Sequence, residues 1–332
     1  MYSIGLDISK SSINVFISNK KLDLEIENNL KSLKSLYSKL KKIYKKEIDK
    51  VVFVFEPTGS YSELLYQFCV DKNIKVFMIN PKQARNFARA IAQRNKSDLI
   101  DARVLAQAIS IAREDEIITP TIDPIVEEIK DLIKYYKLKV KLRVQLSNHL
   151  ESLVVKGSNK ALIKQIKKEL ESLKKEEDKI IESIYSIIKN NEALLNKYNS
   201  IISIKGIGKI AAIVLLHLFI KYPNANQKEI VSLTGLDPIT KESGTSLKGK
   251  SRISKAGARI YRGSLFMAVM SATRHNKQMK AFYERLKANG KHTTVAQIAV
   301  MRKLVIIAHS LYKSNEVYDE DKYEKFAGLH NN

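Results

Sequence analysis

Apolar positions in the first eighty residues fall largely into short runs between polar turns, the pattern of strands, whereas later ones recur every three or four residues. Residues 2–6 form one such run ending at Asp7, and residues 13–17 form a second after Ile8-Ser9-Lys10-Ser11-Ser12. This predicts a hairpin with Asp7 at the end of its first strand. Residues 22–26 alternate apolar positions with Asp23 and Glu25, as an edge strand with one wet face does. Leu30, Leu33, Leu36, Leu40 and Ile43 recur at helical spacing among lysines, which predicts an amphipathic helix with its basic face outward. Val51-Val52-Phe53-Val54-Phe55 reads as a strand buried on both faces, and it stops at Glu56-Pro57-Thr58-Gly59. A helix over 60–71, a strand over 74–79 and a helix opening at Pro81 complete the series. Strands separated by helices are parallel neighbours with right-handed crossovers, so the first and fourth strands end on one rim. Asp7 and Glu56 then face one crevice.

Residues 96–106 add a second pair of acids. Asp98 and Asp101 stand three residues apart in a predicted helix, so both carboxylates leave one face while Leu99, Val104 and Leu105 turn inward. Two such anions repel, and they are either splayed into water or held by a cation. Residues 82–113 carry seven Lys or Arg against these two acids, with Lys96 and Arg103 beside them, an environment suited to a polyanion. Lys82, Arg85, Arg89 and Lys96 mark out a phosphate path leading to a metal site.

The pattern changes beyond Pro120. Apart from Gly157, glycine and proline vanish between 125 and 200, and apolar residues recur helically over 125–155 and 160–188. This predicts two long helices with a turn at 156–159, forming an antiparallel hairpin or an intermolecular coiled coil. A third part opens at Ile201. Gly206 and Gly208 precede an apolar helix over 211–219; their bare backbone amides suit a nucleic-acid phosphate, and the same residues also suit close helix packing. A helix over 226–233 leads to a turn at 234–238. Between Lys241 and Lys291 there are thirteen Lys or Arg and two acids. The loop within 241–255 is small and hydroxyl-bearing, with Ser243 and Ser246 among Lys248, Lys250, Arg252 and Lys255, and Arg259 follows. It is suited to deliver a nucleophilic serine to a phosphate, or to bind the phosphate through serine hydroxyls. Two helices, over 258–275 and 292–312, close this part, and an acidic tail from Glu316 reads as loose. The expected domains are 1–120, 121–200, 201–315 and a polar tail over 316–332.

Bulk charge narrows the partners. Across 332 residues the net charge is +23, which favours nucleic acid or an anionic membrane surface. The longest apolar run, 210–220, is far short of a bilayer span and carries His217, so a membrane-spanning role is not expected, and no signal peptide is visible. Cys69 is the single cysteine and reads as buried, which suits a reducing cytosol. Six scattered histidines without ligand spacing argue against zinc.

Asp7, Glu56 before Pro57-Thr58-Gly59, and the run Lys96-Ser97-Asp98-Leu99-Ile100-Asp101-Ala102-Arg103-Val104-Leu105-Ala106 form a set with the Ser243-Gly244-Thr245-Ser246 loop. Together with the helical insert between them, they resemble the DEDD-type insertion-sequence transposases, a family that includes the Piv and MooV invertases and recombinases guided by a bridge RNA. The resemblance runs from residue 1 to about 313. It departs at Lys205 and Lys277, where relatives often carry proline. It implies an α/β amino-terminal domain of RuvC-like, RNase H fold, a coiled-coil insert and a mainly helical transposase domain. It further implies that Asp7, Glu56, Asp98 and Asp101 hold Mg²⁺ or Mn²⁺ and that Ser243, or failing it Ser246, is the nucleophile. Implied partners are donor and target DNA, a guide RNA and further copies of the chain, as a homodimer or homotetramer sharing composite sites in a bacterial cytoplasm, at the nucleoid. The other readings are a RuvC-like metal-dependent junction nuclease with a DNA-binding carboxyl-terminal part, an actin-like sugar kinase or ATPase, and a nucleic-acid scaffold. The turn after Asp7 lacks the glycine that the kinase reading requires.

Overall fold

The computed structural model describes residues 1–91, 98–240, 242–243, 247–248 and 252–323. The chain divides into two compact units, Met1–Asp123 and Pro124–Asn332. In the first, the elements run β1 (Tyr2–Ile8), β2 (Ser12–Ile17), β3 (Leu22–Glu27), α1 (Leu30–Tyr44), β4 (Val51–Phe55), α2 (Glu63–Lys72), β5 (Lys75–Met78), α3 (Pro81–Ala90) and α4 (Asp98–Gln107). The strands form one sheet in the order β3-β2-β1-β4-β5. β1 pairs antiparallel with β2 and parallel with β4, and β4 pairs parallel with β5. These elements follow the sequence expectation closely.

Both sheet faces are covered. Ile4, Leu6, Phe53 and Phe55 pack with Leu33, Leu36 and Leu40 of α1 and with Leu65, Phe68 and Cys69 of α2. Burial pushes the Cys69 thiol well above its usual range, so it behaves as a small apolar group. Val52 and Val54 point to the opposite face and pack with Phe77, Ile79, Leu105 and Ala108. Local signals set the helix starts: Asn29 accepts from the Ser32 amide at 2.8 Å and Asn80 from the Lys82 amide at 2.9 Å. Val104 and Leu105 are buried as the spacing predicts, but Leu99 is 43% exposed. The inward face of α4 is built instead on Ala102 and Ala106, because the helix sits too close to β1 there for larger side chains.

The second unit is helical: α5 (Pro124–Val155), α6 (Lys160–Lys189), α7 (Glu192–Ile202), α8 (Lys209–Lys221), α9 (Gln227–Thr234), then β6 (Pro238–Ile239), β7 (Glu242–Ser243), β8 (Leu247–Lys248) and β9 (Arg252–Ile253), then α10 (Arg259–His275), α11 (Lys277–Ala288) and α12 (Thr293–Ser314). α5 and α6 pair with each other across the turn at Gly157, whose φ is +67°. Arg143 bonds the buried Glu177 across that pair at 2.6 Å. At the base of the hairpin, Ile129, Ile133, Ile180, Ile184 and Ile188 join one core with α8, α10 and α12.

Three features depart from the sequence expectation. α7 starts nine residues before Ile201 and buries Tyr198 and Ser200, so the helical core begins earlier than the composition suggests. α11 lies between the two expected closing helices, started by buried Asn276, which accepts from the Met279 amide at 3.1 Å. The segment from Glu316 is docked at its start rather than loose: Tyr318 is 9% exposed, and its hydroxyl lies 3.2 Å from Asn276 Nδ2. α12 is long and apolar enough to cross a membrane by length and composition alone. Here its Val300, Leu304, Val305, Ile307 and Leu311 are core residues.

His217 in α8 gives this core a pH signature. It is 5% exposed, with Nδ1 3.3 Å from the Tyr261 hydroxyl. Burial, and secondarily the charge of Lys221, lowers its pKa from 6.5 to about 4. Between those pH values the unfolded chain binds a proton that the folded chain refuses, so stability falls as pH drops through that window, by about 3 kcal/mol in all. Thermal melts of the wild type and of His217→Leu across the window test this. The variant should show a shallower pH dependence, and parallel curves would reject the assignment.

Candidate active site

The register of the sheet puts the first two acids side by side. Leu6 of β1 pairs with Phe55 of β4, so Asp7 and Glu56 are the next positions at the carboxyl ends of neighbouring parallel strands. Both are half-buried. Alternation along β1 sends Asp7 to the face of Gly5, opposite Leu6. α4 lies against this face. A Cβ built on Gly5 would overlap the Ala102 carbonyl oxygen and come within 2.5 Å of the Ala106 amide nitrogen, so glycine here is a condition of the contact. Asp101, also half-buried, is one residue before Ala102 on the covering helix. Asp98 opens the same helix, and its side chain lies outside the described residues.

Arg103 departs from its expected role. Its Nε donates to Asp23 of β3 at 2.9 Å, Nη2 bonds the other carboxylate oxygen, and the guanidinium stacks 5.4 Å from the Phe16 ring centroid. That bond to Arg103 is also what chiefly holds the Asp23 carboxyl below its usual pKa. The fork is therefore spent on fastening α4 across β2 and β3 instead of meeting a phosphate. Sequence reading missed both this anchor and the role of Gly5. Their only trace is that glycine stands two residues before Asp7 and arginine two after Asp101.

Carboxylate oxygens on a sheet rim are hard ligands that suit Mg²⁺ or Mn²⁺. The donor chemistry fits such an ion, and beside Glu56 the buried Thr58 hydroxyl has no hydrogen-bond partner among the described residues. Among the described residues no group of three His, Cys, Asp or Glu is arranged to hold a metal, so completing a site requires a further ligand such as Asp98. On α3, Lys82, Arg85 and Arg89 are all exposed at helical spacing, with Ala84 turned inward. Lys96 lies outside the described residues.

In the second unit, the serine loop rises from a clamped base. Pro238 and Ile239 pair with Ile253 and Arg252, Ser254 bonds Asp237, and Lys255 N donates to the Gly235 carbonyl at 3.1 Å. Arg262 Nη1 ties the two sides together by donating to the Thr234 and Gly257 carbonyls, each at 2.8 Å. Ser243 pairs with Leu247 in a two-stranded ladder, where the sequence suggested only a loop. This satisfies backbone groups that a bare loop would leave to water. The side chains of Ser243 and Lys248, and all of Ser246 and Lys250, lie outside the described residues, whereas Arg252, Lys255 and Arg259 are exposed. The two glycines before α8 differ. Gly206, at φ +104°, sits where a Cβ would come within 2.5 Å of Ala272, so packing accounts for it; Gly208 caps α8, and among the described residues a Cβ there would meet nothing within 4 Å.

Two family models match successive parts of the chain. A family model described as Transposase matches residues 4–157, and one described as Transposase IS116/IS110/IS902 family matches 198–284. The chain is 26% identical over 281 residues to the pilin gene-inverting protein of Moraxella bovis, covering 82% of this chain and 83% of that one. The pilin gene-inverting protein of Moraxella lacunata matches with the same identity and coverage. An uncharacterized 43.6 kDa protein of insertion element IS110 from Streptomyces coelicolor is 27% identical over 120 residues, 35% of this chain and 29% of that protein. The acid-bearing sheet falls within the first match and the basic serine loop within the second, and the chain belongs to the transposase family of IS110-type insertion elements, as an enzyme of DNA recombination.

Proposed function

We propose that this enzyme exchanges DNA strands through a transient phosphoserine link, with Asp7, Glu56, Asp98 and Asp101 holding Mg²⁺ or Mn²⁺ and Ser243 as the nucleophile. The observation that carries the reading is the adjacency of Asp7 and Glu56 on the sheet rim, on the face that α4 covers. A bound divalent ion supplies charge neutralisation at the scissile phosphate. The Ser243 oxygen attacks phosphorus, the bond to the departing deoxyribose oxygen breaks, the serine proton leaves to solvent and the departing oxygen gains one. Rejoining reverses these steps on another strand, and the phosphoserine keeps the phosphodiester energy without ATP. Lys82, Arg85, Arg89, Arg252, Lys255 and Arg259 supply cations for the DNA backbone. By resemblance, an element-encoded bridge RNA guides target choice, and sites form between copies of the chain in a homodimer or homotetramer in the cytoplasm.

The test is trapping of protein on DNA carrying the element's junction, followed by peptide mass spectrometry. Ser243→Ala is expected to abolish the adduct and lower recombination by at least about a thousandfold, with Ser246→Ala retaining both. An adduct that persists in Ser243→Ala and maps elsewhere would overturn the choice of nucleophile. Cleavage without any adduct would favour a junction nuclease.

A further inference from the structure

A cavity of about 560 Å³ lies between α10 and the start of α12, beside the clamped base of the serine loop. Ile253, Phe266, Ile298 and Met301 give it apolar walls, Thr294 adds a hydroxyl, and Gln297, whose amide nitrogen donates to Met270 Sδ at 3.2 Å, adds an amide oxygen. Lys255 and Arg259 also line it. Its size and its lining, mostly apolar with a few polar groups, are those of a small-molecule site. Two further details narrow the ligand. Phe266 is 47% exposed, so a wide part of its ring is open although it lines a cavity. The cations are uncompensated: among the described residues no ion pair engages Lys255, Arg259 or the nearby Lys137. Lys137 is held by the Ile260 carbonyl at 2.9 Å, and burial, with Arg259 second, lowers its pKa to about 8. Excess positive charge beside an apolar slot fits a ligand that is flat and apolar at one end and anionic at the other.

We propose that this cavity receives one nucleotide unstacked from the DNA strand undergoing exchange, its base against Phe266 and its flanking phosphates on Lys255 and Arg259. The inference rests on the reading that the loop over 241–251 works on DNA, since Ile253 and Lys255 directly follow that loop in the chain. A base removed from its stack needs an aromatic face, a few edge-pairing groups and a cationic mouth, and the cavity has all three. Arg262, although it lines the cavity, is committed to the Thr234 and Gly257 carbonyls and serves as wall.

The experiment is fluorescence anisotropy of the full chain with labelled oligo(dT), a duplex of equal length and oligo(U), at salt high enough to suppress general phosphate binding. Phe266→Ala should weaken oligo(dT) binding by about 5- to 150-fold, the range for loss of one stacked base. Duplex binding should change by less than about twofold, and Phe266→Tyr should restore the affinity for oligo(dT). Unchanged oligo(dT) binding, an equal loss on duplex, or a loss confined to oligo(U) would each overturn the proposal, the last by assigning the cavity to RNA. Anisotropy reads binding and not bond breakage. Failure here therefore leaves the Ser243 adduct test standing, and failure there leaves this result readable.

Discussion

Gly5→Ala is expected to destabilise the protein by about 3 kcal/mol or more, the upper range for overpacking a core, because the added carbon meets backbone and no rotamer relieves it. The clash is with the Ala102 carbonyl and the Ala106 amide, both fixed in the hydrogen-bond ladder of α4. Either β1 bends or α4 lifts, and α4 carries Asp98 and Asp101. Gly59→Ala is a useful contrast: φ is +64° there but a Cβ would meet nothing within 4 Å among the described residues, so the cost is that of the left-handed backbone, about 1–2 kcal/mol. Urea unfolding ranks the two, and hydrogen exchange over residues 98–107 reads α4 directly. Full protection of α4 in Gly5→Ala would show that the helix does not bear on β1.

Asp7→Asn is expected to behave in the opposite way, losing recombination while keeping the fold. The side chain keeps its shape and loses its charge. On the proposed reading, recombination falls by about a thousandfold or more, the equivalent of the several kcal/mol that a bound ion contributes. The fold should hold, since asparagine keeps the shape of Asp7. Added Mn²⁺ should raise the Tm of the wild type and not of the variant, because an ion that binds only the folded state stabilises it. Recombination at wild-type rate, or an equal Mn²⁺ shift in both proteins, would remove Asp7 from the site.

Much of the acid-bearing unit was legible because its signals are local. The run over 51–55 reads as a doubly buried strand, and its residues do divide between the two sheet faces. Parallel pairing of the first and fourth strands follows from the helix between them, and with it the neighbouring placement of Asp7 and Glu56. The helical unit was less legible. α11 begins at an asparagine cap among charged residues, and Tyr318 joins the core with its hydroxyl bonded to Asn276, 42 residues earlier in the chain. Such partners are distant in sequence and leave no periodic trace.

Sequence by itself determined the order of strands and helices in the acid-bearing unit, the excess positive charge, the two pairs of acids and the serine loop among cations, since each depends on spacing and composition within a few turns of chain. Tertiary structure alone decided that Arg103 spends its charge on Asp23, that Gly5 admits α4 onto β1, that Gly206 is a packing glycine, and that Phe266 and Lys255 border one cavity. These are contacts between segments tens of residues apart, and they are settled by which backbones can approach closely once the cores have packed.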